Sequence, residues 1–334
     1  MGALNTKHVN WIAGLAFAAP FLAACLLVSC RNDSTTPAGN GNMTIPVGES
    51  PVGEVFDGAN VWVADENGEN IYEIKASTGS VTHIYPGGHG AQYLAFDGVN
   101  DKVWVTNPAS DDVTVIDVAT GALSTYPSGN DPDGIAFDGV YMWVANFTPA
   151  AVTKIRASDG TIVDTVSVGT SGVSDPRLLV YDDASKHVWV TLCGDNKIAE
   201  IDAATDAVVG DFDLPGSPYA IAFDGACLWV TQAALNTVAK VDTGNGAVVG
   251  TYDAGIGPNG IDFDGSDIWI TDQVYEGAPP FPMDTVCTVT RLRASDGESL
   301  GAYRVGERPQ WVTTGDGYFW VTNGSDNTVS RFPY

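Results

Sequence analysis

Basic residues are scarce in this chain of 334 residues. Lys and Arg number 15 against 41 Asp and Glu, a formal net charge of −26. A polyanion of this kind repels nucleic acid and anionic lipid surfaces, so neither is expected as an electrostatic partner. Histidine is also scarce: His8, His83, His89 and His187 are the whole set, and nothing after residue 187 carries an imidazole. That excludes copper sites built from many histidines. A Ser/His/Asp arrangement would have to use His89 in the loop GGHGAQY, and no nucleophile elbow surrounds it. None of the five cysteines falls in a CxxC or CxxCH spacing, which removes zinc-ribbon and covalent-haem readings. Cys193, Cys227 and Cys287 are an odd set in the body of the chain, so at least one thiol is expected free. Cys227, next to the Trp229 strand, reads as buried, and a Cys193–Cys287 bridge is not expected.

What the sequence has in plenty is repetition. Trp62, Trp104, Trp143, Trp189, Trp229, Trp269 and Trp320 each sit in an apolar triplet, at spacings of 42, 39, 46, 40, 40 and 51 residues. The unit is clearest at 217–250. A short apolar strand after a proline ends in Asp224-Gly225, a second strand holds Trp229, a third covers 237–242, and Gly244-Asn245-Gly246 turns into a fourth. Seven units of four short strands with a period near 40 predict an all-β fold, a seven-bladed β-propeller of four-stranded antiparallel blades. Each blade is covered on both faces by its neighbours, so the VWV and LWV strands are apolar throughout and the tryptophans are core. Turns such as ASTG (76–79) and ASDG (157–160) place Gly where a hairpin needs positive φ.

The chain divides into a signal-like segment (1–30), a polar linker (31–42) and the propeller (43–334). Lys7 and His8 precede an apolar run from Trp11 to Val28 that reads as a secretory signal. It ends in Leu27-Val28-Ser29-Cys30, which resembles a bacterial lipobox with Cys30 as the lipidated residue; Cys25 is the weaker candidate. Lipidation implies a membrane partner through the anchor, and Arg31 in the following position favours the outer membrane, cell surface or periplasm over the inner membrane. Multiple acyl chains give stable anchoring, and the linker would span about 17–21 Å as a flexible coil. Within the propeller, IPVGESP (45–51) aligns with YRVGERP (303–309), and the last unit has only three strands of its own. The segment from Met43 to Val47 is therefore expected to complete the last blade and close the ring, which removes open sheet edges.

Candidate site residues come from the propeller path. The residue after each inner-strand proline position, which is Ala91 in blade two, is expected at the channel mouth: Val52, Gln92, Asp133, Arg177, Tyr219, Asn259 and Gln310. The second strands end on the same face at Asp65, Asn107, Asn146, Leu192, Gln232, Asp272 and Asn323. Both sets vary and are mostly polar, and variable polar residues on a rigid frame are where specificity normally sits. The 272–287 insertion in blade six offers a lid or docking surface over that face. Hard oxygen ligands at Asp133, Asn259, Asp262 and Asp272 would suit a divalent cation such as Ca²⁺ or Mg²⁺.

WVTN at 104–107 and 320–323, with WVAN at 143–146, resembles the YVTN-repeat propellers, and the repeated P-x-G-I-x-F-D-G is similar to the streptogramin lyase group. The resemblance spans about residues 43–334. For activity it implies late-blade His and Glu residues acting with Mg²⁺, and this chain has no histidine there. Gluconolactonase-like propellers imply a channel metal held by Glu, Asn and Asp, for which Glu54, Asp133, Asn259, Asp262 and Asp272 are the matching types, while Arg177 opposes a cation. Folds host many functions. The expectation is an exported lipoprotein that binds a small ligand or protein through its top face, more a scaffold than an enzyme. The alternative is a metal-dependent lyase or lactonase at the channel mouth.

Overall fold

The computed structural model describes residues 42–273 and 287–334. The signal-like run, Cys30, all but the end of the linker, and the middle of the blade-six insertion lie outside them. The described chain forms seven four-stranded antiparallel sheets, each running in chain order from its inner to its outer strand in blades 1 to 6. Blade 1 is Pro51–Phe56, Asn60–Asp65, Asn70–Lys75 and Ser80–Pro86.

The ring closes as the alignment of 45–51 with 303–309 predicts. Blade 7 contributes Pro309–Gly315, Tyr318–Asn323 and Thr328–Pro333, and its outer strand is Met43–Pro46. The pairing runs antiparallel from Met43 opposite Arg331 to Pro46 opposite Thr328. Ile45 is buried in the seam with blade 1, among Val61, Ile74 and Trp320.

All seven repeat tryptophans are fully buried, and their polar edges explain the Asp-Gly motif. The Asp57 carboxylate accepts from the Trp62 indole at 2.7 Å and from the backbone N–H groups of Ala59 and Asn60. One carboxylate thus caps the turn and satisfies a buried donor. Asp138, Asp224 and Asp264 do the same for Trp143, Trp229 and Trp269, each at 2.8 Å. Where the turn differs, the indole loses its partner: Asp97 holds Asn100 instead, Asp182 holds Ser185, and Trp104, Trp189 and Trp320 bury an unbonded N–H.

The blades are also stapled across their seams. Tyr85, Tyr126, Phe212 and Tyr252 on outer strands pack against the tryptophan of their own blade and cover the turn glycine of the next, Gly121, Gly160, Gly246 and Gly297. These glycines have φ near +70°, a conformation costly for residues with a Cβ. Lys154, Lys240 and Arg331 lie over the tryptophan ring of their own blade and donate to the turn carbonyls of Ala203, Ala294 and Ala76 in the following blade. Each such cation therefore has a π-face and a hydrogen-bond acceptor.

Candidate functional site at the channel mouth

The mouth residues are placed by a local irregularity in the inner strands. In six blades the ladder to the second strand slips just after the proline, between Pro51 and Glu54, Pro132 and Ile135, Pro176 and Leu179, Pro218 and Ile221, Pro258 and Ile261, and Pro309 and Val312. A bulge of this kind re-aims a side chain and leaves ladder groups unpaired. The threonine after Trp-Val or Trp-Ile repairs the gap. Thr231 Oγ1 accepts from Ala220 N–H at 2.9 Å and lies 3.1 Å from the Asn259 carbonyl of the next blade. Thr191, Thr271 and Thr322 repeat this, reaching Tyr219, Gln310 and Val52 at 2.7, 3.3 and 2.6 Å. Adjacent inner strands come so close here that a Cβ on Gly53, Gly134 or Gly260 would lie 2.3 to 2.7 Å from a neighbouring carbonyl oxygen. The glycine of P-x-G is required by that approach.

The bulges bring most of the expected ring together. Arg177 Nη1 donates to Asp133 at 3.0 Å, its Nε lies 2.7 Å from Asp175, and its guanidinium faces the rings of Phe147 and Tyr219. Asn259 donates to the Gln310 carbonyl at 3.0 Å, and the Gln310 side chain meets Gln273 at 2.6 Å. Gln92 leans outward to Glu66 at 3.1 Å. Val52 is buried. The mouth thus has an ionic sector in blades 3 and 4 and an amide sector in blades 6 and 7. In the ionic sector burial pushes Asp133 up to about 6, with Arg177 offsetting part of the rise. Burial works against the charge of Arg177, but Asp133, Tyr219 and Asp175 outweigh it and its pKa is raised.

The polar second-strand ends hydrogen-bond to partners other than the bulge residues. Asp65, Asn107, Asn146, Leu192, Gln232, Asp272 and Asn323 are all buried, and the hydrogen bonds of the polar ones go to neighbouring strands and loops. Asn107 donates to Asp112 and Thr114, Asn146 to Thr153, and Asn323 to Thr328 and Ser330. Gln232 reaches the Pro215 carbonyl and Thr237. Asp272 accepts from Thr288 and Thr290, both at 2.7 Å, and burial pushes it up to about 7. Polar character at these positions reflects capping of the turn into the third strand, where buried polar groups need partners.

The four oxygen ligands proposed for a cation have separate partners. Asp133 pairs with Arg177, Asn259 with Gln310, Asp272 with two threonines, and Asp262 accepts from the backbone and hydroxyl of Thr314 at 2.7 Å each. Among the described residues no three of His, Cys, Asp and Glu gather as a metal site. The three described histidines each contact a glutamate: His83 with Glu73, His89 with Glu69, His187 with Glu200. Cys193 and Cys227 are free, and Cys227 is half-buried, not buried as expected. Burial pushes the Cys193 thiol up to about 11, well away from a reactive thiolate.

Sequence reasoning missed what lies just inside the mouth. The next position of each inner strand holds Tyr93 in blade 2 and Trp311 in blade 7, and these meet edge to face at 5.4 Å. The Tyr93 hydroxyl reaches the Tyr219 hydroxyl at 2.8 Å, joining blades 2 and 5 across the axis. The signal was present as large aromatics at positions where three other blades carry Gly. Beneath them is a cavity of about 50 Å³. The next layer of the ring is Glu54, Leu94, Ile135, Leu179, Ile221, Ile261 and Val312, six aliphatic residues and one carboxylic acid.

Seven four-stranded blades in a closed ring make this chain a seven-bladed β-propeller, similar in fold to solved streptogramin lyases. The particular structures it matches include virginiamycin B lyase from Staphylococcus aureus, at 19% identity over 88% of this chain and 99% of that one, with a TM-score of 0.73. A streptogramin B lyase structure matches at 20% identity over 87% and 97% of the two chains, TM-score 0.71. Kuenenia stuttgartiensis hydrazine synthase matches at 16% identity over 85% and 96%, TM-score 0.67. The likeness is one of fold. No family model matches the sequence, and no curated protein matches it.

Proposed function

We propose that this propeller is a binding module held at the cell envelope by a lipid on Cys30, engaging a small ligand or a protein partner through the channel mouth. The observation that carries the binding part is the mouth ring itself. Its polar groups are fixed by bulges on a rigid frame, with Arg177 locked between Asp133 and Asp175 and flanked by Tyr219. Such preorganised polar groups beside aromatic faces are what a binding site needs.

Binding is favoured over turnover by the distribution of histidine. A His-to-Ala variant of virginiamycin B lyase, studied with quinupristin, is catalytically inactive. This chain has no histidine after residue 187, and its three described ones are paired with glutamates. The lyase or lactonase alternative would draw on Glu54, Asp133 and Asp262, acids whose pKa values are all raised by burial.

Two experiments test the proposal. Fatty-acid labelling should be lost in Cys30→Ala and kept in Cys25→Ala; labelling retained in Cys30→Ala removes the anchor. For the mouth, binders selected from a small-molecule panel by thermal shift should lose affinity at least tenfold in Tyr219→Ala/Gln310→Ala without loss of fold. Calorimetry with Ca²⁺ and Mg²⁺ addresses the alternative. A binding heat abolished by Asp133→Asn/Asp262→Asn would move the reading towards a metal-dependent enzyme.

A further inference from the structure

Glu54 stands apart from the other acids among the described residues. It is 3% exposed, it occupies the one non-aliphatic place in its layer of the ring, and it lines the cavity beneath Tyr93 and Trp311. Neither of its carboxyl oxygens makes a hydrogen bond of good geometry. Burial raises its pKa well above the ordinary value; the Thr313 backbone N–H offsets this in part, and the nearby negative charge of Asp262 adds to it. Asp262, by contrast, is satisfied by Thr314. A carboxyl buried without a full set of partners is costly, and an aliphatic residue at this position would carry no such penalty.

We propose that the cavity is a binding site for a short primary alkylammonium ion, with Glu54 as its acceptor. This rests on the mouth being a binding face and names a ligand class for its deeper end. Three features select that chemistry. The unfilled hydrogen-bonding capacity is that of a carboxyl, which as carboxylate accepts from an ammonium. The remaining wall, including Leu94, Ile135, Leu179 and Ile221, is aliphatic and suits a short alkyl body, and the aromatic rings of Trp311 and Tyr93 also line the space, a surrounding that favours a cation. The approach is net negative, since Asp131, Asp133 and Asp175 outnumber Arg177 in the ionic sector. At about 50 Å³, the space is several times the roughly 10–15 Å³ needed by one water, and admits a group the size of ethylammonium.

The ammonium stabilises the ionised form, so the proton leaves Glu54 for solvent when the cation binds. Calorimetric titration of the soluble propeller with ethylammonium chloride, at pH 6 in buffers of different ionisation enthalpy, should show saturable binding with proton release. Ethanol and acetate, of similar size, should bind at least tenfold more weakly. Glu54→Gln should weaken ethylammonium at least tenfold and abolish proton release; Glu54→Leu, which restores an aliphatic ring, should fold and not bind. Ethylammonium binding that survives in Glu54→Leu but is lost in Asp133→Asn would overturn the cavity site and leave the mouth as a binding face. Equal binding of ethanol, or no saturable heat from the folded parent, would also overturn it. The panel experiment on Tyr219→Ala/Gln310→Ala decides the mouth independently.

Discussion

Two sets of residues on the same face of the propeller, the bulge positions and the second-strand ends, look alike in sequence and differ in the fold. Both vary from blade to blade and both are mostly polar. The bulge residues meet one another around the axis, as Arg177 meets Asp133 and Asn259 meets Gln310. The strand ends instead spend their hydrogen bonds on turns and third strands, as Asn323 does on Thr328 and Ser330. Variable polar residues are therefore brought into contact only where the backbone also turns them to a shared space. Elsewhere their variation marks different solutions to the same capping problem.

The comparison can be tested residue by residue. Arg177→Leu should have the largest effect, because it leaves Asp133 buried beside Asp175 without its cation. A loss of about 3 kcal/mol in urea unfolding at pH 8 is expected, shrinking at pH 5, where Asp133 takes up a proton. A loss that does not depend on pH would mean that Arg177 acts through packing alone. Asn323→Ala, at a strand end, should cost about 2 kcal/mol by stranding the hydroxyls of Thr328 and Ser330, and should leave ligand binding at the mouth unchanged.

Asp272 sharpens the contrast through pH. Its carboxyl ionises near 7 in the fold and near about 4 in the unfolded chain. Between those values the native state holds the extra proton, so its contribution to stability is full below about pH 4 and is lost as pH rises to about 7. Asp133 and Asp262, both pushed up to about 6, act in the same direction. The melting temperature should therefore fall from pH 5 to pH 8, and Asp272→Asn should flatten the part above pH 6. An unchanged slope in that variant would show that Asp272 is solvated. The smallest effect belongs to Gln92→Ala, whose one bond to Glu66 is near the surface. Less than about 0.5 kcal/mol is expected, against a measurable change in affinity for a mouth ligand.

Much of the fold was legible in the residues because a propeller writes its period in core positions. Trp62 to Trp320 gave the blade count, the Asp-Gly turns gave the inner-strand ends, and the likeness of 45–51 to 303–309 gave the closure. The contacts of Asp133 with Arg177 and of Asn259 with Gln310 were legible because each of these residues follows the inner-strand proline of its unit. Asp262 and Asp272 were not, since nothing in a strand sequence tells which side chain finds a threonine on a neighbouring strand. The cavity was missed for a related reason. Tyr93, Trp311 and Glu54 matter by being exceptions at positions where the other blades carry small or aliphatic residues, and their convergence depends on blades 1, 2 and 7 being neighbours in space.

The closing strand carries one more consequence. In blades 1 to 6 the third strand leads to the outer strand through a short turn, as Asn70–Lys75 leads to Ser80–Pro86. In blade 7 the same two positions are filled by Thr328–Pro333 and Met43–Pro46, with Met43 opposite Arg331. The blade-7 pair lacks that turn but keeps the antiparallel pairing of the other blades. A circular permutant that joins Tyr334 to Met43 through a short Asp-Gly linker and opens instead at Gly160 would move the seam to blade 3, and the order of blades around the axis would be unchanged.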